Sequence, residues 1–160
     1  MNKIWAPWRI DYIRQPKDEG CIFCDKPQGG DDREMLILER GEFSFVLMNL
    51  YPYNNNHLMI APYEHVDDPL QISQETKSEI MAFSDKSMTI LKKLINPDGF
   101  NFGANFGAFA GAGIEEHIHY HLVPRWQGDT NFMPVLGHTK VLVQGLQESY
   151  DELKPEFDNF

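Results

Sequence analysis

Three histidines alternate with apolar residues in the stretch His117-Ile118-His119-Tyr120-His121-Leu122-Val123. Successive side chains of a β-strand point to opposite faces of the sheet, so this pattern predicts a strand over 117–123 with all three histidines on one face. Ile118, Tyr120 and Leu122 form the other face, which is expected to lie in the core. Because buried imidazoles need polar partners, three of them in strict alternation favour a functional site over simple packing.

Two kinds of chemistry are open to such a row of imidazoles. Neutral imidazole nitrogens bind metal ions, and histidine also serves as a nucleophile or as a general acid and base near neutral pH. The segment 107–113 before the histidines contains only Gly, Ala and one Phe. Backbone N–H groups of glycine-rich loops can approach an anion closely, so this loop next to the histidines favours a phosphate-containing ligand.

The rest of the chain predicts an α+β domain built on an antiparallel β-sheet, with one long helix and a C-terminal helix. The long helix is expected to begin at the N-cap residue Ser73 and to end at Ile95, before Asn96-Pro97-Asp98-Gly99. Its apolar stripe is expected to pack on the core and consists of Ile80, Phe83, Met88, Leu91 and Ile95. The other predicted elements are strands at 35–38, 43–48, 58–61 and 100–106 and a helix over 141–153.

Composition limits the classes of protein that the chain could belong to. With 160 residues it is predicted to form a single domain over 1–160, in which residues 1–34 are a polar, turn-rich N-terminal arm. This arm carries Trp5, Trp8 and Tyr12, which are expected to dock it onto the same or another subunit. The net charge of −10 argues against a nucleic-acid partner, which would require a basic face. No apolar run suits a membrane helix or a secretory signal, and only two cysteines occur, so a cytoplasmic location is expected.

Those two cysteines form the motif Cys21-Ile22-Phe23-Cys24, a C-x-x-C. On its own the motif is compatible with a redox pair, a disulfide, free thiols or half of a zinc site. Its flanks lack the strand-then-helix order of thioredoxin-like redox sites. A tetrahedral zinc site requires two more ligands, for which His65 and His117 are the candidates.

The alternating segment 117–123 resembles the signature of the histidine triad (HIT) family of nucleotide hydrolases and transferases, His-φ-His-φ-His-φ-φ with φ apolar. The resemblance extends over about residues 20–130, including Pro124-Arg125 and the strand, turn and strand around His57. The segments 5–9, 51–55 and 124–132 are further similar to the bacterial branch that includes diadenosine tetraphosphate phosphorylases.

The resemblance implies a role for each histidine of the site. His119 matches the nucleophile that attacks the α-phosphorus and forms a covalent nucleotidyl-imidazole. His121 matches the histidine that lies against the phosphate oxygens, and His57 matches the one that orients the nucleophilic ring or its strand. In zinc-containing members, a Cys₂His₂ site is completed at the positions of His65 and His117, so Cys21, Cys24, His65 and His117 are the expected structural zinc ligands.

The same resemblance implies the contacts to the substrate. Asn49 matches the residue that binds the ribose hydroxyls, and Asn105 is the nearest match to a polar side chain at the phosphate end. Many members carry a Gln before the triad that reaches the bridging and leaving-group oxygens, whereas this chain has Gly113 in that register. Stabilisation of the leaving group is therefore expected to come from backbone N–H groups, as around Gly111 and Gly113, to come from elsewhere, or to be weaker.

Taken together, these features predict transfer of a nucleoside monophosphate from a dinucleoside polyphosphate to phosphate or water through His119. The alternatives are a hydrolase of nucleoside phosphoramidates or other adenylates, and a nucleotide-binding protein without turnover. The expected partners are a purine nucleotide or dinucleoside polyphosphate, inorganic phosphate, and a second copy of the chain in a homodimer or higher homo-oligomer.

Overall fold

Five antiparallel strands form one sheet in the order β1-β2-β3-β5-β4. The structure is a computed structural model that describes residues 20–129 and 144–160. The elements in chain order are α1 Ile22–Asp25, α2 Asp32–Met35, β1 Ile37–Arg40, β2 Ser44–Met48, β3 Leu58–Pro62, α3 Gln74–Ile95, β4 Gly99–Ala104, β5 Tyr120–Arg125 and α4 Leu146–Asp158. Short 3₁₀ turns occur at Lys26–Gln28 and Ala108–Ala110. The predicted α+β class with an antiparallel sheet is therefore confirmed.

The strand register separates two apolar clusters, one on each face of the sheet. Val46 pairs with Ile60, which pairs with Tyr120, and these residues belong to the larger cluster beneath α3 and α4. On the opposite face Met59 pairs with His121. That face also carries a smaller cluster, made of Phe23, Ile37, Phe45, Leu47, Met59 and Ala61. The histidines therefore adjoin apolar packing rather than an open polar face.

The long helix α3 has the limits that the sequence predicts. The Ser73 hydroxyl accepts a hydrogen bond from the Thr76 N–H at 3.0 Å, which caps the first turn. At the other end, Asn96 adopts the left-handed conformation with φ 41°, and Pro97 follows. Of the predicted stripe, Ile80 and Leu91 are fully buried and the other three members pack against the same core.

The predicted strand over 117–123 is wrong at its start, because β5 begins only at Tyr120. Backbone groups near His117 bond outside the ladder: the Ile118 N–H donates to Val66 O at 2.8 Å. In a longer β3–β5 ladder Ile118 would pair with Pro62, but the Pro62 carbonyl instead accepts a hydrogen bond from the His117 ring at 2.9 Å. His117 and His119 therefore precede the strand, and only His121 lies within it.

Other boundaries also differ from the sequence prediction. β1 begins at 37 rather than 35, because Leu36 ends α2 in the left-handed conformation with φ 62°. β4 spans 99–104 rather than 100–106. The C-terminal helix begins at 146, where Gly145 is its N-cap, and continues to 158, and the predicted residues 141–143 lie outside the described part.

Residues 20–34 of the predicted N-terminal arm form short helices, and Phe23 on α1 is fully buried. The predicted docking residues Trp5, Trp8 and Tyr12 lie outside the described residues. Among the helices that the structure describes, none is a candidate for a membrane span.

Candidate active site

The three histidines predicted to be catalytic meet where β3 and β5 lie side by side. His57 directly precedes β3, and its Nε2 lies 2.9 Å from His121 Nδ1. The His119 ring stands edge-on to the His121 ring, with centroids 4.9 Å apart. The structure thus brings together side chains that are 64 positions apart in sequence.

A backbone carbonyl fixes the tautomer of His119. Its Nδ1 lies 2.9 Å from His117 O, and since a carbonyl can only accept, Nδ1 must carry the hydrogen. Burial lowers the pKa of His119 below 6.5, against the opposing effect of this hydrogen bond. The imidazole is therefore neutral at pH 7, with its lone pair on Nε2, which is the state required of a nucleophile.

His57 and His121 form a relay with a defined direction. The backbone N–H of Tyr53 donates to His57 Nδ1 at 3.1 Å, and Asn49 Nδ2 lies 3.3 Å from the same nitrogen. Nδ1 is thus an acceptor, so Nε2 of His57 carries the hydrogen and donates it to His121 Nδ1. In the neutral state His121 then has its remaining hydrogen on Nε2.

No role is predicted for Tyr53 from the sequence, although the structure places it in the site. Its ring centroid is 4.5 Å from that of His57 and 5.5 Å from that of His121. An aromatic residue in an otherwise Asn- and Pro-rich loop, four positions before a histidine, is the sequence signal that could have indicated this contact.

The loop that carries Tyr53 is tied to the end of β5. The Asn54 side chain donates to Pro124 O at 3.0 Å and to Asp129 at 2.9 Å. Asp129 also accepts two hydrogen bonds from the Arg125 guanidinium, at 2.6 and 2.9 Å. The Arg125–Asp129 ion pair and Asn54 therefore fix the loop that carries Tyr53 to the end of β5. This also fixes the position of the Tyr53 N–H, which determines the tautomer of His57.

The four predicted metal ligands also converge. One ligand atom from each of Cys21, Cys24, His65 and His117 lies within 4.8 Å of the others. His65 Nδ1 is 3.3 Å from Cys24 Sγ, and His117 Nδ1 is 3.3 and 3.5 Å from the two sulfurs. A tetrahedral zinc ion with Zn–S of about 2.3 Å and Zn–N of about 2.0 Å separates such ligand atoms by about 3.5 Å.

The protonation states of this group suit a metal as well. His117 Nε2 must carry its hydrogen because it lies 2.9 Å from Pro62 O, so the lone pair on Nδ1 faces the sulfurs. Burial lowers the pKa of His117, which keeps the ring neutral. Both cysteines are free, and burial together with the neighbouring Cys21 raises the pKa of the Cys24 thiol to about 11. A bound cation would reverse that effect by stabilising the thiolate.

The residues expected at the phosphate end lie at the edge of the sheet next to the histidines. Ala104 pairs with Tyr120, so Asn105 and His119 follow immediately beyond the last pair of the β4–β5 ladder. Asn105 Nδ2 is 3.5 Å from Gly111 O. Gly111 has φ 88°, a conformation that favours glycine. Gly113 is half-buried in the same loop.

Residues 33–128 match the family model of the HIT domain. The chain belongs to the histidine triad (HIT) family. The AP-4-A phosphorylase of Mycobacterium tuberculosis is 36% identical over 166 residues, which cover 98% of this chain and 85% of that protein. The bis(5'-adenosyl)-triphosphatase of Dictyostelium discoideum is 25% identical over 124 residues, covering 78% and 82% of the two chains.

Solved structures of HIT proteins confirm the fold. The crystal structure of a Zn-bound histidine triad family protein from Mycobacterium smegmatis matches with a TM-score of 0.69 and 21% identity. The match covers 88% of this chain and 94% of that one. The resemblance seen in the sequence is thus confirmed at the level of the HIT family and its fold.

Proposed function

We propose that this HIT protein is an enzyme that transfers a nucleoside monophosphate from a dinucleoside polyphosphate to an acceptor through a covalent nucleotidyl-histidine on His119. One observation carries the proposal: the hydrogen bond from His119 Nδ1 to His117 O leaves a buried, neutral imidazole with its lone pair on Nε2. The similarity to an AP-4-A phosphorylase and a bis(5'-adenosyl)-triphosphatase supports this substrate class.

The reaction takes place in two displacements. In the first, the Nε2 lone pair of His119 forms a bond to the α-phosphorus, and the bond from that phosphorus to the bridging oxygen breaks. The leaving nucleotide departs with the bonding electrons, and the N–H on His121 Nε2 donates to a phosphoryl oxygen as charge develops. In the second, an oxygen of phosphate or water attacks the same phosphorus, the N–P bond breaks, and His119 regains its lone pair. Where the acceptor is water, the proton that its oxygen loses passes to solvent.

The remaining residues are proposed to bind the substrate. Asn49 would contact the ribose, and its amide is already oriented because its oxygen accepts the Tyr51 N–H at 2.9 Å. Asn105 and the backbone at Gly111 and Gly113 would hold the phosphates, and the Gly111 N–H, which donates to Ala108 O at 3.0 Å, would have to exchange that bond for one to the substrate. A purine base and a homodimer or higher homo-oligomer in the cytoplasm complete the proposal, as the HIT resemblance implies.

Zinc is the proposed metal of the Cys₂His₂ group. The four ligands would close the coordination sphere, so the ion would stabilise the fold rather than activate water. Its ligands join α1 to the segment that begins the active site, since Cys21 and His117 are 96 positions apart. His117 is therefore proposed to be structural, with its side chain on the metal and its carbonyl on His119.

Phosphate is the proposed acceptor, because the M. tuberculosis relative is a phosphorylase. With diadenosine tetraphosphate and phosphate in the millimolar range, we expect ADP and ATP as products, formed much faster than without phosphate.

The matched control is His119→Asn, which should bind nucleotide but neither turn over nor retain a nucleotidyl group. If AMP and ATP form at equal rates with and without phosphate, the reaction is hydrolysis and the proposed phosphorolysis is wrong. Wild-type turnover in His119→Asn would refute the covalent mechanism itself.

A further inference from the structure

Phe23 lies between the two cysteines of the metal-binding group and reaches the nucleophile. It is 1% exposed, on helix α1, and its ring stacks on the His119 ring with centroids 4.7 Å apart and an angle of 27°. It also contacts the His117 ring, at 5.3 Å. The proposed chemistry gives this side chain no task, although it covers one face of the reacting imidazole.

The second support of His119 also comes from the metal-binding group. The carbonyl that accepts its Nδ1–H belongs to His117, whose own ring faces the sulfurs. Stacking restricts rotation of the imidazole about its Cβ–Cγ bond, and the carbonyl fixes which nitrogen carries the hydrogen. Thus the orientation of His119 depends on residues 21–24 and 117 being held together, which is what a shared metal ion would do.

We infer that Phe23 is a positioning residue for His119, and that the metal centre orients the nucleophile through Phe23 and the His117 carbonyl. The inference rests on the proposed function only in taking His119 as the nucleophile. Without the stacked ring, the imidazole gains rotational freedom and water gains access to its face, so Nε2 spends less time in line with the α-phosphorus.

Phe23→Leu tests this inference, with Phe45→Leu as the matched control. Phe45 is equally buried, belongs to the same apolar cluster, and stacks on Tyr63 rather than on a histidine. Both variants lose one buried ring, so both should lose a similar amount of thermal stability. Only Phe23→Leu should lower kcat, by roughly 10- to 100-fold, with KM and metal content near those of the wild type. Phe23→Met, which fills the space without a ring, should behave as Phe23→Leu does.

A readout independent of turnover comes from the imidazole nitrogens. Long-range ¹H–¹⁵N spectra of the wild type should show His119 as a single tautomer with hydrogen on Nδ1. Phe23→Leu, or removal of the metal with a chelator, should give a mixture of tautomers, while Phe45→Leu should leave the signal unchanged.

The possible failures are distinguishable. Absence of a nucleotidyl-histidine in the wild type would refute the proposed function, whereas the tautomer measurement would still test the positioning. Wild-type kcat and an unchanged His119 signal in Phe23→Leu would overturn the inference. Release of the metal by Phe23→Leu would overturn it as well, because the residue would then act by assembling the metal centre.

Discussion

Replacing His57 tests the direction of the histidine relay. His57 is 1% exposed, accepts the Tyr53 N–H at Nδ1, and donates from Nε2 to His121. His57→Phe keeps a planar ring but offers neither group, so His121 is no longer held with its hydrogen on Nε2. His57→Gln offers an amide oxygen to Tyr53 and an amide N–H to His121, so it can reproduce both bonds.

The expected magnitude follows from the bond that is lost. A hydrogen bond to a charged group contributes about 1.5–3 kcal/mol. At 1.36 kcal/mol for each tenfold change in rate, the loss of the His121 donor should lower kcat by about 10- to 150-fold. His57→Phe should show this loss, and His57→Gln should retain most of the rate.

The assay is the rate of nucleotide release from diadenosine tetraphosphate at saturating substrate, with denaturant unfolding measured on both variants. His57→Phe also leaves the Tyr53 N–H without its acceptor, so a stability loss of roughly 1–3 kcal/mol is expected there. A well-folded His57→Phe enzyme with the wild-type kcat would refute the relay. An equal loss in both variants would show that the imidazole itself, rather than its hydrogen-bonding pattern, is required.

Two further predictions concern the metal centre and the turn after β1. Purified protein should contain about one zinc ion per chain, and Cys24→Ser should lower both the zinc content by elemental analysis and the melting temperature; full metal retention would contradict the ligand assignment. Burial alone would raise the pKa of Glu79, but hydrogen bonds from Ser44 and from the N–H groups of Glu42 and Phe43 lower it below 4.5. A lowered folded-state pKa stabilises the fold above the unfolded-state value, and this contribution is lost as the pH falls through the folded-state value. Glu79→Gln should therefore destabilise the protein at pH 7 by roughly 1–3 kcal/mol, and a difference that persists at pH 2 in denaturant titrations would contradict this origin.

The features of the fold that depend on local sequence patterns are predicted correctly from the sequence. Helix α3 follows from its N-cap Ser73 and its apolar spacing, and both limits agree with the structure. The convergence of the C-x-x-C motif with His65 and His117 was anticipated through the HIT resemblance, because no local pattern joins residues 96 positions apart.

What the sequence did not predict depends on contacts between distant segments. β5 starts late because the backbone N–H of Ile118 donates to Val66 O and the ring of His117 bonds to Pro62 O. The alternation of histidines and apolar residues in the sequence does not indicate these contacts. The stacking of Phe23 on His119 and the tilted contact of the Tyr53 ring with His57 likewise require the sheet to be assembled first. The acceptor that fixes the His119 tautomer is close in sequence, yet only the turn of the backbone before β5 aims it at the ring.

The charge balance of the site explains why preorganised N–H groups must do most of the electrostatic work. The chain carries a net charge of −10, and each arginine in the described residues is already paired with a carboxylate, as Arg33–Asp151, Arg40–Asp32 and Arg125–Asp129. A polyphosphate would therefore meet no unpaired guanidinium in that part of the chain. Gly113 also contributes no side chain where many HIT proteins have Gln. The groups proposed to hold the phosphates are His121, the Asn105 amide and the backbone of the 107–113 loop, in which the N–H groups of Ala110, Gly111 and Ala112 donate to carbonyls of the loop itself. Their effect on the reaction depends on being fixed before the substrate arrives. On the proposed mechanism, we therefore expect the indirect contacts of the site, from Tyr53 to His57 and from Phe23 and the His117 carbonyl to His119, to affect the rate.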